Sequence, residues 1–86
     1  MKVFVPSQLR DYTAGAGIVE AHGASLSALL ADLDRRYPGI RFRMIDEQQA
    51  IRRHIRIFIN RERTRSLDAL LAERDEVVIV GALSGG

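Results

Sequence analysis

The chain has 86 residues, 47% of them hydrophobic and 28% charged, a balance that suits a folded domain and excludes a disordered tail. It contains no cysteine, which excludes disulfides, thiolate metal sites and a cysteine nucleophile or sulfur donor within the chain. Lys and Arg number 13 against 11 Asp and Glu for a net charge of only +2, too small a surplus to make the whole surface a polyanion binder.

Lys2-Val3-Phe4-Val5 opens as an apolar strand that Pro6 ends by removing a ladder donor. This start is too short and too little apolar for a signal peptide, and no apolar run approaches the ~20 residues that span a bilayer, so a cytoplasmic location and no membrane partner are expected. A loop follows from Ser7 to Gly17, and Ile18-Val19-Glu20-Ala21 reads as a second strand, hairpinned to the first.

Ser25 is a good helix N-cap, and Leu26, Leu29, Leu30, Leu33 and Tyr37 recur at the spacing of one apolar helical stripe. Arg35 and Arg36 suit the negative end of the helix dipole, and Pro38-Gly39 stops the helix. The mixed pattern from Ile40 to Ala50 predicts an extended stretch and a turn. In Ile55-Arg56-Ile57-Phe58-Ile59-Asn60 the three isoleucines share a core face, with Arg56, Phe58 and Asn60 on the other. Leu67, Leu70 and Leu71 predict a short helical turn after Ser66, and Val77-Val78-Ile79-Val80, apolar on both faces, predicts a central strand. No repeat or linker separates these pieces, so residues 1–86 are expected to form a single domain with a flexible tail over 83–86. Leu29, Leu30 and Leu33 should then pack on Ile57, Ile59 and one face of the last strand. Two turns, at Asn60-Arg61 and Glu73-Arg74-Asp75, put arginine where glycine is common; either arginine at positive φ would cost about 1 kcal/mol.

The usual catalytic constellations are missing from this pattern. His22 and His54 have no carboxylate or histidine at helical spacing on a shared face, so no metal is expected. Gly15-Ala16-Gly17 lacks the later glycine and following helix of a phosphate loop. Asp75 and Glu76, adjacent in an extended segment, point to opposite faces and cannot share one substrate. Ser84 has no positioned base.

The most telling feature is the end. Gly85-Gly86 has no Cβ to obstruct a narrow channel, and terminal diglycine arises by chance in only about 0.5% of chains at average glycine usage. Leu83 to Gly86 can extend about 14 Å at roughly 3.5 Å per residue, enough to enter a neighbouring protein's active site. The sequence therefore reads as a small fold whose substrate is its own tail.

The helix ending in Arg35-Arg36-Tyr37-Pro38-Gly39, the Ile57-Phe58-Ile59-Asn60 strand, Asp75-Glu76-Val77 and the closing Ala82-Leu83-Ser84-Gly85-Gly86 resemble the ubiquitin-like sulfur carriers of the ThiS/MoaD type. The resemblance spans nearly the whole chain and is most specific at its end. Arg61 and Arg74 depart from it, standing where family members usually carry glycine.

The resemblance implies an α+β, β-grasp fold with a mixed sheet and one main helix across it. It implies a carrier and not an enzyme: an E1-like enzyme using ATP adenylates Gly86, the acyl-adenylate is converted to a thiocarboxylate, and a synthase accepts the sulfur in molybdopterin, thiamine or cysteine synthesis. The length and the Phe42 to His54 segment exceed those of a minimal thiamine carrier, which leaves molybdopterin or cysteine synthesis, with a cysteine-type or unassigned carrier preferred over a molybdopterin one. Gly85 and Ser84 would be the slender approach, Leu83 an apolar anchor and Phe58 a partner contact, with no cofactor bound by the chain itself. Two rival readings share the sequence. One is a ubiquitin-like modifier using the same tail; the other is a binding module using the arginines between Arg52 and Arg56, although few aromatics accompany them and nucleic acid is not the expected partner.

Overall fold

A computed structural model describes residues 1–81. Five strands, β1 (Lys2–Phe4), β2 (Ile18–Glu20), β3 (Ile55–Ile59), β4 (Glu62–Thr64) and β5 (Val77–Gly81), form one mixed sheet in the order β2-β1-β5-β3-β4. β1 and β5 are parallel and every other pairing is antiparallel. Helix α1 (Leu26–Arg36) packs across one face, the arrangement expected of a β-grasp fold. The last strand is central, because alternate residues on both its faces are apolar and it pairs with β1 on one side and β3 on the other.

α1 begins as its sequence requires, with Ser25 accepting a hydrogen bond from the Ala28 amide at 3.2 Å. Leu26, Leu29, Leu30 and Leu33 are fully buried against Val3, Ile55, Ile57, Val77 and Ile79. Ile59, expected in that core, is only half-buried at the end of β3. Asp32, also nearly buried, ties the entrance of the helix to its exit: its carboxylate accepts from the His22 amide and pairs with Arg36 and Arg35. The His22 amide and then these two cations hold its pKa below the ordinary carboxylate value.

Besides the placement of Ile59, the structure departs from the sequence reading in four elements. The Ser7–Gly17 loop contains a 3₁₀ segment over Ser7–Thr13, whose Leu9 and Thr13 side chains are buried. Ile40–Met44 forms a second helix, α2, and is not extended. Its start needs Gly39 at φ 98°, and Asp34 of α1 accepts hydrogen bonds from the Gly39 and Arg41 amides, a cap supplied by a different helix. Ile40 and Met44, one turn apart, are both fully buried, whereas the turn predicted just beyond them forms around Asp46.

The third correction concerns residues 67–71: a turn does follow Ser66, closed by the Ala69 amide donating to the Ser66 carbonyl at 3.3 Å, but it does not continue into a helix. Their carbonyls are used otherwise: Leu67 and Ala69 accept from the Ser27 and Leu26 amides, satisfying donors that the first turn of α1 cannot pair internally. Leu67 and Leu71 still lean on the core, and Leu70 is 83% exposed. Finally, β4 is a strand that sequence patterning does not predict, because Glu62-Arg63-Thr64 has one β-favouring residue and no apolar face.

Between β3 and β4, Asn60 at φ 49° and Arg61 at φ 76° are both left-handed, while Arg74 is not among the positive-φ residues. A two-residue hairpin turn of this kind favours Asn-Gly. Arg61→Gly should therefore stabilise the protein by about 0.5–1 kcal/mol after glycine's entropic cost is set against the relieved strain. A midpoint of chemical denaturation that fell would contradict this.

Candidate functional site

The predicted reactive tail, Leu83, Ser84, Gly85 and Gly86, lies outside the described residues; the strand from which it continues does not. β5 is held along both edges. Val77 and Val78 sit beside Val3 and Phe4, and the whole strand from Val77 to Gly81 pairs with Ile59 back to Ile55. Beyond Phe4, where β1 has ended, Gln8 takes over: its amide donates to the Gly81 carbonyl at 3.0 Å. A Cβ on Gly81 would fall 2.8 Å from that same amide, so the close contact depends on the glycine or on Gln8 moving away.

The start of β5 is fixed by a clasp. Asn60 donates its side-chain N–H to Asp75 at 2.7 Å and accepts from the Glu76 amide at 3.0 Å, while its own amide donates to the Glu76 carbonyl. The other Asp75 oxygen accepts from the Ala72 amide at 2.8 Å. That backbone bond first, and the Asn60 bond second, keep the Asp75 carboxylate below its ordinary pKa. The Asp75-Glu76-Val77 signature thus sets the register of the strand that carries the tail and brings no paired carboxylates together.

Among the described residues, the face of the sheet opposite α1 carries no helix. Strand alternation places Ile18, Phe4, Val78, Phe58 and Arg63 in one row across all five strands, with Val80 and Arg56 paired in the next. Ile18 is 55% exposed and Val80 41%. Phe58 is half-buried between Val78 and Arg63, less open than its alternation with the core isoleucines suggests. Sequence reasoning misses Phe4, Ile18, Val78 and Gln8. Alternation within each strand contains the signal for the first three, but only the strand order joins them into a row.

This geometry, a short sheet with an open apolar row beside the strand that carries the diglycine tail, coincides with a family match. The model of the ThiS family matches residues 3–86. The chain belongs to the ThiS family. The sulfur carrier protein CysO of Mycobacterium tuberculosis is 35% identical over 98% of this chain and 96% of its own length. Among solved structures, a chain of the Amycolatopsis orientalis BexX/CysO complex is 33% identical, superimposes with a TM-score of 0.91, and is matched over 99% of this chain and 98% of its own. The small archaeal modifier protein 1 of Methanosarcina acetivorans, at 29% identity, 99% and 94% coverage and a TM-score of 0.79, shares the same ubiquitin-like β-grasp fold.

Proposed function

We propose that this ThiS-family chain is a sulfur carrier whose working group is the Gly86 carboxylate. The observation that carries the reading is the full-length similarity to CysO together with the Gly85-Gly86 end of a chain whose last strand is locked at both edges. A rigid strand followed by a slender tail is what delivery of a carboxylate into another protein requires.

The chemistry is acyl transfer at Gly86. A carboxylate oxygen attacks the α-phosphorus of ATP in an adenylating partner, and pyrophosphate leaves. Hydrosulfide then attacks the acyl carbon, the acyl–phosphate C–O bond breaks and AMP leaves, and the thiocarboxylate left after loss of the S–H proton carries sulfur to an accepting enzyme. The absence of cysteine means that the sulfur comes from outside the chain. The CysO relatives point to a cysteine-forming acceptor in preference to a molybdopterin or thiamine one.

Incubation with the adenylating enzyme, ATP and a sulfide source should add the mass of one oxygen exchanged for sulfur, confined to the C-terminal peptide. Sulfur found elsewhere in the chain, or none at all, would refute the reading. The similarity to a modifier protein supports a second use of the same tail, in which a lysine amine attacks the adenylate; covalent conjugates in a lysate would reveal it.

The open row of the sheet is the docking face for the adenylating partner in this reading, with Phe58 as its aromatic anchor. Phe58→Ala should weaken complex formation about tenfold or more. Because Phe58 packs across rungs against Val78, it should also cost up to about 1 kcal/mol of stability. Calorimetric titration and thermal unfolding separate the two effects, and unchanged affinity would remove Phe58 from the interface.

A further inference from the structure

At the end of the sheet where β3 begins, one strand across from the end of β5, the surface hollows into a groove of about 430 Å³ ringed by Arg52, Arg53, Arg56, Arg63 and Arg65. Arg56 sits opposite Val80, and Ile55, in the wall of the groove, opposite Gly81, so the groove flanks the end of the strand from which the tail continues. None of the five arginines is ion-paired with an acid among the described residues. Arg52 stacks on Phe42 and donates to its carbonyl, and Arg56 donates to the Arg53 carbonyl. Two of the cations are thus steadied by uncharged groups, and Arg53, Arg63 and Arg65 stand exposed. Partial desolvation, with Arg65 and Arg56 nearby, lowers the pKa of Arg63.

A protein that takes in the tail must cover this end of the sheet. Guanidinium groups covered by a neutral surface would lose water without gaining a partner, a strongly unfavourable outcome. We infer that the arginine groove is a docking site for acidic side chains rimming the tail-receiving channel of the adenylating enzyme. The inference rests on the carrier reading above and adds to it the charge of the partner's surface. Arginine suits this role because its planar fork takes carboxylates in pairs. The groove continues the apolar row through Arg63, so one partner surface can meet both.

The test measures sulfur loading of Gly86 at varied carrier concentration and salt, for the parent and for a variant combining Arg53→Glu, Arg63→Glu and Arg65→Glu, all at exposed positions. Reversal should raise KM by roughly tenfold or more with kcat unchanged, since rim charges act on encounter and not on the chemical step. Parent KM should climb between about 50 and 300 mM salt while that of the variant does not. The matching lysine variant should retain the salt response. A parent that is loaded alongside a variant of equal KM overturns the inference alone; a parent that takes up no sulfur overturns the carrier reading and the inference with it. A parent that binds a single-stranded oligonucleotide through these arginines, while loading ignores the reversal, makes the groove a nucleic-acid site and also overturns it.

Discussion

Removing Gly86 should abolish sulfur loading while leaving the thermal midpoint unchanged. Truncation leaves a carboxylate on Gly85, but one residue short, a displacement of about 3.5 Å. Misplacing a reacting group by about 1 Å already costs on the order of 100-fold, so the loss should be at least that large. Appending a residue after Gly86 should be equally damaging, because the reactive carboxyl is then consumed in a peptide bond. Gly85→Val should impair loading through bulk beside the reacting centre. Among the described residues the buried cluster draws on positions from Met1 to Ile79, and the midpoint of each variant tests whether the fold depends on anything beyond them. Mass spectrometry of the C-terminal peptide and differential scanning calorimetry read the two effects independently. A truncated chain that loads like the parent would end the proposal that Gly86 carries the sulfur.

Leu30→Ala should destabilise the fold by about 2–5 kcal/mol, the cost of a cavity at a large buried aliphatic site. Leu30 is fully buried on α1, in one cluster with Leu29, Leu33, Ile57 and Val77. For a chain of this size such a loss lowers the midpoint by about 10 °C or more. Leu70→Ala is the matching control: Leu70 is 83% exposed, and its truncation should change stability by no more than about 0.5 kcal/mol. Below its midpoint the Leu30 variant should still accept sulfur, since nothing in the core reacts. Equal midpoints for the two leucine variants would contradict the packing of α1 on the sheet.

α1, β1, β2, β3 and β5 are legible in the sequence because each is specified by its own residues. Ser25 and the leucine stripe write a helix, and the alternation of Ile55, Ile57 and Ile59 with Arg56 and Phe58 writes a strand. Both faces of Val77–Val80 are apolar, which also places β5 at the centre. The diglycine end and the absence of cysteine bound the proposed chemistry by residue type alone.

The remaining elements depend on groups distant in sequence. α2 is capped by Asp34 of another helix, and residues 67–71 make a single turn and no helix because the open donors of α1 take the Leu67 and Ala69 carbonyls. β4 exists because Phe58 and its neighbours offer it a ladder, with little help from its own composition. The open row of Ile18, Phe4, Val78 and Phe58, the Gln8 hold on Gly81 and the ring of five arginines likewise follow from strand order. Sequence by itself determines a segment when the stabilising contacts lie within a turn or a strand period; where an unsatisfied backbone group or a charge finds its neighbour tens of residues away, only the tertiary structure decides.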